Sequence, residues 1–159
     1  MTIKDKLEEY DLFDQAITRY GMLECIRDYE VIGYLSGMDF DSEVQYIFKG
    51  CIKVDYKVKV APEHYSMDDR LLDLDRQDEP DYPEGFIWGA NFAVVYPGWT
   101  LKKDTDELKM LEKTYGLKLY QLYFDTNAYD LTITFHDIDT KELKRIDKKK
   151  NEPPTGAKM

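Results

Sequence analysis

Apolar and polar positions alternate most cleanly over residues 43–60. Val44, Tyr46, Phe48, Ile52, Val54, Tyr56, Val58 and Val60 form one row, and Glu43, Gln45, Lys49, Lys53, Asp55, Lys57 and Lys59 form the other. A period of two with one wet face predicts an antiparallel strand. Residues 23–35 precede it across the turn-rich Ser36-Gly37-Met38-Asp39-Phe40-Asp41-Ser42, so the two segments read as a hairpin. Its register follows from charge and apolar matching. If paired numbers sum to 77, Tyr29 faces Phe48 and Val31 faces Tyr46, while Asp28 meets Lys49 and Glu24 meets Lys53. A slip of one residue would set Asp28 and Glu30 against Phe48 and Tyr46. The same register sets Arg27 opposite Gly50 and puts Cys25 on the apolar face, with Cys51 on the other.

Other stretches carry different periods. Ile3, Leu7, Tyr10, Phe13 or Ile17, and Tyr20 recur at three and four, with Gly21 as a stop, which predicts an amphipathic helix over residues 3–20. Phe86 to Tyr96 is largely uncharged on both alternating sets, the mark of a strand covered on both faces and lying inside a sheet. Pro97-Gly98 ends it, so Trp88 is expected to be buried and Trp99 to emerge from the core. Ser66 can cap a short helix through Leu74. A second main helix is predicted over residues 104–115, with Leu108, Leu111 and Tyr115 on its apolar face and Gly116 as its stop. Residues 117–124 and 129–137 follow as a hairpin about Asp125-Thr126-Asn127-Ala128. The expected class is α+β: a mainly antiparallel sheet of about five strands, packed by two main helices and one short helix. Residues 1–140 are expected to form one domain, and the basic segment 141–159 a flexible C-terminal tail.

Charge narrows the function. A net charge of −10 over 159 residues argues against general nucleic-acid binding, which needs a basic footprint. It favours a cationic partner and long-range steering towards one. Nine acidic residues against Arg70 and Arg76 fall within residues 61–84. Carboxylates steer and aromatics anchor, so Asp68, Asp69, Asp73, Asp75, Tyr82 and Trp99 are the candidate partner-binding residues. The competing reading of the run is a solvated loop. No apolar stretch approaches a membrane span of roughly 20 residues, and the first residues lack a signal-peptide core, so a cytoplasmic protein is expected. Cys25 and Cys51 fall in no metal or disulfide spacing and are expected as free thiols.

Candidate chemistry is sparse. Asp39-x-Asp41-x-Glu43 opens like a calcium loop, but Val44 stands where the glycine belongs and Gly50 where the last ligand belongs. His136-Asp137 with Asp139 has His64 as the one other histidine to draw on, and reads as a partly exposed structural group. Cys25 has no histidine on a neighbouring predicted element to make it a nucleophile. Walker, dinucleotide, nucleophile-elbow and zincin signatures are absent, and no catalytic residue, metal or cofactor is expected.

Several pieces in order resemble the YxiG-like family of small bacterial proteins. They are Arg27-Asp28-Tyr29-Glu30, Tyr46-Ile47-Phe48-Lys49-Gly50-Cys51, Ser66-Met67-Asp68-Asp69-Arg70-Leu71-Leu72-Asp73, Gly85-Phe86-Ile87-Trp88-Gly89, Tyr96-Pro97-Gly98, and Asp125-Thr126-Asn127 with Phe135-His136-Asp137. The resemblance covers roughly residues 10–140 and brings no catalytic residue with it. It implies a small acidic protein of the kind found among immunity genes beside secreted toxins. The expected function is therefore non-catalytic protein binding, as an immunity protein that neutralises a basic toxin domain. One alternative is a small-molecule binder or enzyme with a pocket near Trp88, Tyr96, Arg27 and His136. Another is a structural domain that forms a homodimer through its aromatic surplus.

Overall fold

The computed structural model describes residues 1–24, 27–58, 93–126 and 128–148. The predicted helix 3–20 is shorter and gives way to a strand. Helix α1 spans Ile3–Glu9, opened by a capping box in which Thr2 and Asp5 exchange side-chain and backbone hydrogen bonds. Its pattern ends where the Asp11 carboxylate accepts the Phe13 N–H and Asp14 takes a positive φ of 57°. The chain then runs extended as β1, Ala16–Met22. A side chain that competes for backbone groups stops a helix more firmly than apolar spacing continues it. Phe13, placed by spacing on the helix's apolar face, is consequently exposed.

Strand β2 (Tyr29–Ser36) pairs with β3 (Phe40–Lys49) in the predicted register, Tyr29 opposite Phe48 and Val31 opposite Tyr46. The polar pairs predicted beyond it do not form. Leu23 N–H donates to the Asp28 carbonyl as the chain folds back on β1, and Lys49 binds Asp139 at 2.6 Å instead of facing Asp28. Lys53 meets Asp55 and Glu107, not Glu24.

The strand predicted over residues 43–60 is broken. Gly50, at φ 60°, ends β3, and β4 (Lys53–Val58) belongs to another sheet. The partner strand bends at the same place. Strand β8 (Tyr129–Phe135) passes through His136 into β9 (Asp137–Asp147), so β3–β9 and β4–β8 form one long ribbon folded at Gly50 and His136. The hydrogen bonds His136 N–H to Lys49 O and Ile52 N–H to Thr134 O, both 2.9 Å, carry the ladder around the bend. A Cβ on Gly50 would lie 3.0 Å from the Cβ of His136.

The basic segment from Lys141 is therefore no tail as far as Asp147, since it is the second half of β9, laid along β3. Of the segment predicted as an interior strand, residues 93–96 are described and contain β5 (Ala93–Val94), which among the described residues pairs with β1. Trp88, Cys25 and the short helix from Ser66 lie outside the described residues.

Strand β6 (Gly98–Lys102), which periodicity did not reveal, pairs with β7 (Tyr120–Asp125). Between them α2 (Asp106–Tyr115) is capped by Thr105 and ends at Gly116 with a φ of 68°, close to prediction. Leu108 is buried and Leu111 half-buried, but Tyr115 is exposed. The β7–β8 hairpin forms as predicted, its turn held by the Thr126 hydroxyl, which accepts from Tyr129 N–H and donates to Tyr129 O.

Among the described residues the strands make two antiparallel sheets, β5-β1-β2-β3-β9 and β4-β8-β7-β6. This is broadly α+β, but with little helix and two sheets where one was expected. The sheets face each other across one core. Phe48 of β3 lies 4.9 Å from Phe135 and 6.4 Å from Phe124, and Val31, Val44, Tyr46, Leu131 and Ile133 fill the layer around them. Ile3 and Leu7 of α1 close one end, and Lys6 ties the helix to β9 through Asp137 and the Ile138 carbonyl, both at 3.1 Å.

Candidate functional site

The ribbon's bend places His136 and Asp137 at the wall of a cleft of about 950 Å³. Strand β6 supplies Trp99 and Leu101, β7 supplies Tyr120, and the first turn of α1 closes the far side. Trp99, expected to emerge from the core, is half-buried. It sits opposite Phe124 in the β6–β7 ladder, and its indole N–H donates to the Asp11 carboxylate at 2.8 Å. Tyr120 packs 6.0 Å from Phe135, with the Lys118 ammonium 5.9 Å from its ring centre.

The charged groups of the cleft are mostly engaged with one another. Lys118 is held between Asp104 and Glu112. That contact holds the Asp104 carboxyl below the usual carboxylate range and raises the Lys118 ammonium. Burial works to raise Asp137, yet the Ile138 N–H and the Lys6 ammonium together bring it below its ordinary value. His136 Nδ1 lies 2.7 Å from the Lys118 carbonyl oxygen.

His136, Asp137 and Asp139 thus turn to separate partners, Lys118, Lys6 and Lys49, and compose no acid–base constellation. Asp41, from the segment that opens like a calcium loop, accepts from the Tyr34 hydroxyl at 2.7 Å and meets Lys148 at 3.1 Å. Cys51 is a free thiol, half-buried, and burial pushes it up to about 11, away from nucleophilic character.

Of the three described residues among the four expected around a pocket, only His136 is found in the cleft wall. Tyr96 and Arg27 are exposed and do not line it, and Trp88 lies outside the described residues. Spacing along a strand says which face a residue takes, not which cavity that face meets. Among the partner-binding candidates, Trp99 is placed as above, whereas Asp68, Asp69, Asp73, Asp75 and Tyr82 lie outside the described residues.

Sequence reasoning missed a feature beside Trp99. Phe13 and Tyr96 stand 6.4 Å apart, 51% and 60% exposed, at the bend between β5 and β6. Gly98 leaves room for the Phe13 ring, which a Cβ there would approach to 3.3 Å. The helical reading of residues 3–20 had hidden Phe13 on an apolar face. The Asp11-Leu12-Phe13-Asp14 turn chemistry was the signal that could have exposed it.

Among the described residues no helix is long and apolar enough to cross a membrane. No curated protein matches the chain. A family profile described as YxiG-like protein matches residues 1–150, nearly the whole length and all of the strands above. By that match, the chain belongs to the YxiG-like protein family.

Proposed function

We propose that the chain is a non-catalytic protein-binding domain, an immunity-type protein that neutralises a basic toxin domain. The observation that carries the reading is the Phe13–Tyr96 pair, two large aromatic side chains more than half exposed, with Trp99 and the Asp11 carboxylate beside them. Exposed aromatics next to acid are the composition of an interface anchor, where burial supplies the energy and charge supplies the approach. The acidic run of residues 63–84 precedes this corner in the chain, and the net charge of −10 points the same way.

The test is binding kinetics against a basic toxin domain encoded beside the gene. Converting Asp68, Asp69, Asp73 and Asp75 to Asn should slow association at low salt by about tenfold and flatten its salt dependence. Phe13→Ala with Tyr96→Ala should leave association alone and speed dissociation. Thermal melts run alongside separate lost contacts from lost fold. A toxin domain that fails to bind at all, or kinetics unmoved by both sets, refutes the proposal.

A further inference from the structure

We propose that the cleft beside the Gly50/His136 bend binds a small aromatic acid, a planar apolar body carrying one anionic group and one hydrogen-bond donor. The cleft shares Trp99 with the protein-binding corner but does not rest on that reading, and Lys103, on which its test turns, lines the cleft.

Three features of the cleft specify that ligand. The first is its rigid aromatic wall. Trp99 is fixed by its hydrogen bond to Asp11, and Tyr120 is fixed between Phe135 and Lys118. Such flat, pre-positioned surfaces favour a planar partner. The volume of about 950 Å³ lies at the upper end of the range for small-ligand pockets.

The second is the sign of the charge left over. Both cleft carboxylates are satisfied, Asp104 by Lys118 and Asp137 by Lys6. Lys103 forms no salt bridge among the described residues, its charge acting on Asp104 through space, and the salt bridge of Lys4 among them is to Glu8, at 3.7 Å. The unneutralised charge at the rim is therefore positive, on a protein whose net charge is −10. A cation would find its carboxylates occupied, and an anion would find two ammonium groups at hand.

The third is the histidine tautomer. A carbonyl oxygen can only accept, so the 2.7 Å contact with Lys118 O makes Nδ1 the N–H of His136. In that tautomer Nε2 is an acceptor, which a hydroxyl or amine hydrogen on the ligand would match.

The probe is 8-anilinonaphthalene-1-sulfonate, which combines a planar body, a sulfonate and an N–H. Calorimetric titration of the full chain should show one saturable site per molecule. Lys103→Glu should weaken that site by about tenfold, since it replaces a charge-assisted contact by repulsion at an exposed position that the fold does not use. Tyr96→Ala should leave it unchanged, and melts should confirm that both variants fold. Absence of saturable binding, or binding indifferent to Lys103→Glu, overturns the assignment. A loss caused by Tyr96→Ala also overturns it, because the dye would then be reporting the exposed corner.

Discussion

Tyr46 carries its hydroxyl into the core, where the oxygen is buried with no hydrogen-bond partner among the described residues. Burial also holds its acidity far below that of an ordinary phenol, raising the pKa, with the Asp11 charge adding to the effect. An unpartnered buried hydroxyl costs about 1–3 kcal/mol, whereas the ring around it contributes ordinary packing. Tyr46→Phe should therefore stabilise the protein, by about 1 kcal/mol in denaturant titration. A destabilised variant would mean that the hydroxyl has a partner in solution. Glu30 shows the opposite solution for a buried polar group. Its carboxylate accepts from Gln45 Nε2 at 2.7 Å and pairs with Arg19 at 3.3 Å.

Two joints between elements decide how the strands and helices are joined. The first is Gly50, where β3 leaves one sheet and β4 enters the other at a φ of 60°. A side chain there meets His136 and adopts the left-handed region, so Gly50→Ala should destabilise by about 1–2 kcal/mol, read from the urea midpoint. The second is the tie between α1 and β9 through Lys6 and Asp137. Asp137 has a folded-state pKa below its ordinary 3.8. A depressed carboxylate contributes stability that is complete above the unfolded value and is lost as pH falls through the folded one. Melting curves from pH 6 down to pH 2 should therefore converge for wild type and Asp137→Asn at the acid end and separate above about pH 4. Parallel curves over the whole range would show that the carboxylate's charge does nothing for α1.

Across the whole molecule, the two sheets share one core, and Phe48 is the side chain that joins them. Phe48→Ala should cost about 3–5 kcal/mol, as large aromatic truncations in cores do. The loss should appear as one earlier transition seen alike by far-ultraviolet dichroism and by aromatic signals, since Phe48 packs on Phe124 and Phe135 of the other sheet. Two separated transitions would mean that the sheets are independent units. Among the described residues strand β9 ends its sheet. Its Lys141, Lys144 and Arg145, together with a register break at Glu43/Val44, are features that discourage further strand pairing at an edge.

Local pattern was enough for the β2–β3 register, the β7–β8 hairpin and the caps of α2. In each case alternation, turn residues and capping act between neighbours in the chain. The same locality explains the failures. Helical spacing from Ile3 to Tyr20 was real up to Tyr10 and accidental beyond it, because the Asp11 turn and the pairing of β1 with β2 outweighed a few apolar coincidences. The charged run from Lys141 has no alternating signal to read, and it became a strand only because β3 offered a ladder about a hundred residues earlier in the chain. Unbroken alternation through Gly50 could not say that the ribbon folds there, since the apolar row continues on both sides of the bend. Family membership and acidity were legible from residue identity and order. The cleft and the Phe13–Tyr96 corner were not, because each is assembled from segments distant in sequence, and only the packing of the two sheets brought them together.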